Sequence, residues 1–180
     1  MACNAGRKYS PALELPHSPR SGDVERFPGM VETHSPLVVE RPCGRIVLIE
    51  DNPVDAVLFR WALQERGVYD DLEVFDRGDV AMAFARQEGL FRNDPPPDVV
   101  VVDLALPGFD GMEVVESIRA NLLFSRTEVW VYSASLDPGD RSRALELGAD
   151  SYIEKPKDLD ELRSIAERLR DLMRADHGGH

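Results

Sequence analysis

Four consecutive valines, Val99–Val102, stand directly before Asp103. Four β-branched residues without a polar interruption suit an extended strand. The lack of polar alternation means that both faces of that strand are covered. Such a strand belongs in a parallel sheet, and parallel neighbours need long crossovers, normally helices. The rest of the chain has to supply them.

It does so on both sides. Ile46-Val47-Leu48-Ile49 is a second apolar run, and Leu72–Phe75, Val129–Tyr132 and Ser151–Glu154 read as three more strands. Asn52-Pro53 offers an N-cap and a proline at the first helical position. Val54, Val57, Leu58 and Trp61 then recur at helical spacing, and Gly67 can end that helix. Asp79 is placed to cap a second helix carrying Val80, Ala83 and Phe84 and ending near Gly89, before a loop over 90–97 with Pro95-Pro96-Pro97. Asp110 and Glu113 have capping-box spacing ahead of a third helix with Val114, Val115, Ile118 and Leu122 as its buried stripe. Asp137-Pro138 opens a fourth helix that ends at Gly148. Asp158 and Glu161 repeat the box before a last helix with Leu162, Ile165, Ala166, Leu169, Leu172 and Met173 on one face. Trp130 is expected in the core. Five strands alternating with five helices, joined by right-handed crossovers, predict an α/β fold with a doubly wound parallel sheet.

Charge divides the chain. Residues 1–44 hold five basic and five acidic side chains, six of the thirteen prolines and no apolar period. Such a segment buries too little surface to offset its ordering entropy, so it reads as a disordered leader. Leu37–Val39 is its one candidate for a docked stretch, and Met30 is an alternative start. The folded domain is expected over 45–175, with 176–180 as a flexible tail. The formal charge of −12 therefore falls on the folded part, which argues against a nucleic-acid-binding surface. No apolar run approaches the length of a membrane span, and none follows Arg7 and Lys8 to make a secretory signal. Cys3 and Cys43 make no disulfide framework in a chain of 180 residues. A reducing, cytoplasmic setting is expected.

In a doubly wound sheet the ligand site lies outside the carboxyl ends of the strands. Here strand one ends in Glu50-Asp51, strand three in Asp103, strand four in Ser133 and strand five in Lys155-Pro156. Taken singly, each has a plainer use: an acidic residue after a strand caps a helix or makes a turn, and a lysine is solvated. Together they suit one chemistry. Three crowded carboxylates want a divalent cation, and oxygen-only ligands select a hard one such as Mg²⁺. Asp103, fixed by a buried strand, is the candidate nucleophile for an aspartyl-phosphate. Mg²⁺ and Lys155 would neutralise charge on the transferring phosphoryl group, and Ser133 would hydrogen-bond it on arrival.

At RIVLIEDNPVDAVLFRWAL, PDVVVVDLALPGFDGMEV, VWVYSAS and GADSYIEKP the chain resembles a response-regulator receiver domain, the chemotaxis-regulator-like, flavodoxin-like (βα)5 fold. The resemblance covers residues 45–175. The E-D-N-P-x-D opening and the long loop before Pro97-Asp98 are similar to stand-alone regulators paired with phytochrome-type kinases. The resemblance implies strand order 2-1-3-4-5 and a single-domain response regulator of a two-component phosphorelay. It implies phosphorylation of Asp103 by a sensor histidine kinase, of phytochrome type, or by a phosphotransfer protein, with Lys155 and Ser133 assisting. It implies Mg²⁺ held by Glu50 or Asp51, by Asp103 and by the backbone carbonyl of Ala105, and a cis Lys155–Pro156 bond. Catalysis of its own would be no more than slow autophosphatase activity. Ser133 would move toward the phosphoryl group and Tyr152 would swing inward. The face made by the fourth helix, fifth strand and fifth helix would then engage a downstream protein or a second copy, since no effector domain is expected after the last helix.

The chain departs from the family pattern at three positions. Glu50 stands where Asp is commoner, Ser133 where Thr is commoner, and Ala105 offers no polar side chain beside Asp103, which implies a phospho-state of intermediate lifetime. An aspartate-nucleophile phosphohydrolase would need a second Asp where Ala105 stands. A flavodoxin-like cofactor binder would need a phosphate-cradling loop, whereas Glu50-Asp51-Asn52-Pro53 repels phosphate unless a cation intervenes. The alternative is a degenerate receiver acting as a phosphorylation-independent interaction scaffold; retention of all five chemical positions speaks against it.

Overall fold

The computed structural model describes residues 44–68 and 72–177. The leader expected over 1–44, with its Leu37–Val39 stretch, lies outside the described residues except for Gly44, as do 178–180 of the expected tail. Five strands build one parallel sheet: β1 (Ile46–Ile49), β2 (Leu72–Phe75), β3 (Val99–Val102), β4 (Glu128–Ser133) and β5 (Ser151–Glu154). Their order is β2-β1-β3-β4-β5, the doubly wound arrangement. The helices are α1 (Pro53–Glu65), α2 (Gly78–Ala85), α3 (Gly111–Ala120), α4 (Pro138–Glu146) and α5 (Leu159–His177).

Alternate strand residues feed two separate cores. Val47, Ile49, Val100, Val102, Val129 and Val131 pack with Ala81, Phe84, Val114, Ile118 and Ala144 from α2, α3 and α4. Ile46, Leu48, Val99, Val101, Trp130 and Tyr132 pack on the opposite face with Phe59, Leu63, Leu162, Ile165 and Leu169 from α1 and α5. Side chains of a strand point alternately to the two faces, so a continuous apolar run is what two covered faces require.

Several expectations need correction. Of the residues that recur at helical spacing in α1, Trp61 packs against the core while Val54 is 62% and Val57 65% exposed, and Phe59, Ala62 and Leu63 are the buried ones. The helix is apolar on more than one side, and period alone does not say which side meets the sheet. Leu122 leaves the α3 stripe for a short 3-10 turn, Leu122–Phe124, where it is exposed and Phe124 takes the buried place. Asp79 lies inside the first turn of α2 and its carboxylate pairs with Arg77; Arg77 holds the N-cap position without a side-chain cap. The last helix runs to His177, past the expected start of the tail. No peptide bond among the described residues is cis, so Lys155–Pro156 is trans, the form favoured by roughly 0.5–1 kcal/mol even before proline.

Four caps fit the sequence reading, one of them Asp158, whose Oδ1 accepts from Glu161 N–H at 2.9 Å. Asn52 Oδ1 accepts from Val54 N–H at 3.0 Å, Asp110 Oδ1 from Met112 N–H at 2.9 Å and Asp137 Oδ1 from Gly139 N–H at 2.8 Å. Each satisfies one of the free donors that begin a helix. Between β3 and α3 the chain forms a small antiparallel ribbon, Ala105–Leu106 against Phe109–Asp110, turned at Gly108 with φ 74°. Gly111 follows it, and an added Cβ there would sit 2.6 Å from Leu104 Cα. Only glycine lets α3 start this close to the backbone that carries Asp103.

Candidate functional site

The carboxyl ends of the strands are tied together by their own backbone. Ile49 pairs with Val102, so Glu50 and Asp103 leave neighbouring strands side by side. Asp103 N–H donates to Ile49 O at 2.9 Å, and Glu50 N–H to Phe75 O at 3.0 Å. Lys155 N–H donates to Ser133 O at 2.8 Å, which fixes the base of the lysine at the end of β4.

From those anchors three acidic side chains converge. Glu50, Asp51 and Asp103 each present an oxygen, all within 4.8 Å of one another. Glu50 and Asp103 are buried, at 1% and 3% exposure, and Asp51 is half-buried. Lys155 Nζ lies 2.8 Å from Asp103 Oδ2, 2.9 Å from Asp55 Oδ2 and 2.8 Å from Glu50 Oε2. The first two are hydrogen bonds. The third is an ion pair only, and Glu50 Oε2 is a buried oxygen without a hydrogen-bond partner. The remaining oxygens are held by backbone: Glu50 Oε1 accepts from Asn52 N–H at 3.1 Å and Asp103 Oδ1 from Ala105 N–H at 3.0 Å.

Four carboxylates around one ammonium leave an excess of negative charge. Burial pushes the Glu50 carboxyl up to about 7, the charge of Asp103 adds to this, and Lys155 opposes it. Burial alone would lower Lys155, but its hydrogen bonds to Asp103 and Asp55 and its ion pair with Glu50 outweigh it and hold the ammonium firmly protonated. A buried oxygen that is ion-paired but accepts no hydrogen bond, beside two convergent carboxylates, all of them hard oxygen donors, fits a divalent cation.

The other expected residues lie around this cluster. Ser133 is buried at the end of β4, and its Oγ accepts from Ser135 N–H at 3.1 Å instead of meeting the carboxylates. Tyr152, on edge strand β5, is already turned inward at 7% exposure, and its hydroxyl donates to Ser135 O at 3.1 Å. Ala105 is exposed at the start of the ribbon. The sequence reading missed Asp55. Its signal was the position three residues after the Asn52 cap, where an acidic side chain on the first turn of α1 points back to the strand ends.

A family model described as the response regulator receiver domain matches residues 46–167. Response regulator Rcp1 of Synechocystis is 33% identical over 127 residues, 71% of this chain and 86% of that protein. Transcriptional activator protein IrlR of Burkholderia pseudomallei is 35% identical over 130 residues, 72% of this chain but only 50% of that longer protein. Among solved structures, the phosphorylated cyanobacterial phytochrome response regulator RcpA aligns with a TM-score of 0.66 at 33% identity, covering 72% of this chain and 93% of its own. The Mn²⁺-bound form of Rcp1 aligns with a TM-score of 0.64 at 30% identity, covering 71% and 92%. Among the described residues no helix is long and apolar enough to cross a membrane. Strand order, an acidic cluster at the carboxyl ends and a profile match across nearly the whole described region lead to one conclusion: the chain belongs to the response regulator receiver domain family.

Proposed function

We propose that this chain is a cytoplasmic response regulator that accepts a phosphoryl group on Asp103 from a histidine kinase or phosphotransfer protein, with Mg²⁺ as cofactor. Residues 45–175, with α5 running on to His177, would be the receiver and 1–44 a leader. The observation that carries the reading is the meeting of Glu50, Asp51 and Asp103 within 4.8 Å, with Lys155 bonded to Asp103. The RcpA and Rcp1 structures, one phosphorylated and one Mn²⁺-bound, support extending that chemistry here.

Glu50, Asp51 and Asp103, with the backbone carbonyl of Ala105, would hold the ion. Bound Mg²⁺ supplies charge neutralisation for the incoming phosphoryl oxygens. Ala105 N–H and Lys155 Nζ hold one oxygen of Asp103 each, so the carboxylate cannot rotate away from an incoming donor. A carboxylate oxygen attacks phosphorus; the P–O bond forms as the P–N bond to the donor imidazole breaks, and the imidazole leaves. Lys155 stays charged throughout and follows the new negative charge.

Ser133 and Tyr152 carry the result outward. Ser133 Oγ can donate to a phosphoryl oxygen while still accepting from Ser135 N–H. Movement of Ser133 pulls on Ser135, whose carbonyl holds Tyr152 and whose hydroxyl holds Asp140 in the first turn of α4. The shift thus reaches the α4–β5–α5 face, where a downstream protein or a second copy would dock. Phytochrome-type kinases are the donor class that the relatives' names favour.

The test is incubation with acetyl phosphate, with and without Mg²⁺. A hydroxylamine-labile phosphoryl label that requires Mg²⁺ and disappears in Asp103→Asn is expected. Label that persists in that variant would overturn the assignment, and no label in the wild type would favour the scaffold alternative.

A further inference from the structure

Lys155 has three acidic neighbours, and one of them stands outside the carboxylate triad. Glu50 and Asp103 belong to the triad; Asp55 does not. Glu50 and Asp103 reach the ammonium from the ends of β1 and β3, whereas Asp55 reaches it from the first turn of α1. That turn is fixed by the Asn52 cap and by Pro53. The Asp55 side chain is 28% exposed, against 0% for Glu50 and 4% for Asp103, so it sits at the rim of the same pocket.

This arrangement solves a competition. A divalent cation on the triad would draw on the same Glu50 and Asp103 carboxylates that now face the ammonium, and two cations held that close repel. The Lys155 side chain is only 18% exposed and its Nζ lies 5.4 Å from the centre of the Tyr132 ring, so leaving the carboxylates for water means moving the stem out of its packing. It needs another counter-ion within reach, and Asp55 Oδ2 already accepts one of its protons at 2.9 Å.

We propose that Asp55 is a positioning residue that receives Lys155 when a divalent cation occupies the triad, keeping the ammonium beside Asp103 without letting it compete for the ligands. This rests on the reading of the triad as a Mg²⁺ site. Without Asp55 the ammonium has only the triad to bind, and Mg²⁺ must displace it.

The test is calorimetric titration of the full chain with MgCl₂, for the wild type, Asp55→Asn, Asp55→Glu, Lys155→Met and the Asp55→Asn/Lys155→Met pair. Asp55→Asn is expected to weaken Mg²⁺ binding by about tenfold. Asp55→Glu, which keeps the carboxylate, restores most of it. With Lys155→Met present, Asp55→Asn should cost less than about twofold, because the competitor is gone. An equal loss in both backgrounds would mean that Asp55 acts only as a distant negative charge, and the proposal would fail. Unchanged affinity in Asp55→Asn, with a wild type that binds, overturns this proposal alone. A wild type that binds no Mg²⁺ overturns both it and the reading of the triad.

Discussion

Lys155 Nζ donates to Asp103 Oδ2 across 2.8 Å, joining the ends of β5 and β3 over the end of β4, which lies between them in the sheet. One residue therefore fastens three strand ends, since its backbone N–H is also bonded to Ser133 O. It is also the cation that keeps buried Glu50 and Asp103 from repelling each other. Removing one partner of a buried ion pair leaves the other charge uncompensated. Lys155→Met is expected to destabilise the metal-free protein by about 3 kcal/mol near neutral pH. MgCl₂ should recover part of the loss by binding the folded state. Thermal melts in EDTA and in excess Mg²⁺ check both; a variant as stable as the wild type in EDTA would count against the role.

The Glu50 carboxyl, held up at about 7, makes the pocket sensitive to pH in two opposite senses. A carboxyl whose folded value lies above its unfolded one favours the fold when protonated. Its contribution is complete below the ordinary value of 4.5 and is lost as pH rises through about 7. In EDTA, the stability of the wild type relative to Glu50→Gln should therefore fall across that window. Cation binding runs the other way, because the ligand must be ionised. Mg²⁺ affinity should rise by about tenfold per pH unit up to neutrality and then level off. Calorimetry at several pH values reads the slope, and a flat profile would show that Glu50 is no ligand.

How much of this was legible follows from what each signal encodes. Val99–Val102 specified β3 residue for residue, because four β-branched side chains under two covered faces leave the strand no alternative. Glu50, Asp51, Asp103 and Lys155 could be placed together since strand ends in a doubly wound sheet share one rim. Asp55 escaped because it sits on a helix, where an acidic first-turn residue looks like a plain dipole partner. Val54 and Val57 marked the helix without marking its buried side. Periodicity reports that a stripe exists, not which neighbour it meets, and α1 chose Phe59, Ala62 and Leu63 to face the sheet. The ribbon after Leu104 had no signal of its own beyond Gly108 and Gly111.

Ala105 is exposed immediately beside Asp103, and only its backbone N–H engages the carboxylate, through Oδ1 at 3.0 Å. Its methyl group neither holds a water molecule for attack on an acyl phosphate nor screens one out. Ala105→Asn, which adds a donor and acceptor at that rim, should speed loss of the phosphoryl group by about tenfold. Ala105→Arg should slow it by covering the approach. Decay of labelled protein after removal of the phosphodonor measures both, and identical half-lives in all three proteins would refute the idea.

Tyr152 tests whether the Ser135 junction transmits anything. Its hydroxyl donates to Ser135 O, Ser135 N–H donates to Ser133 Oγ, and Ser135 Oγ donates to Asp140 on α4. Arg141, also on α4, sits 5.9 Å from the centre of the Tyr152 ring. Tyr152→Phe keeps the ring and deletes one bond of this junction. It should cost about 1 kcal/mol of stability, the ordinary loss for one hydrogen bond. Phosphorylation of Asp103 by acetyl phosphate should proceed at the wild-type rate, because Tyr152 touches none of the carboxylates. What should change is the spread of the signal: in the wild type, phosphorylation alters hydrogen exchange both in residues 134–147 and along β5, whereas in Tyr152→Phe the β5 response is lost while the loop still responds. A β5 response of equal size in the variant would show that the shift reaches the edge strand by another route, such as the Arg141 guanidinium bonded to Tyr152 O at 3.5 Å.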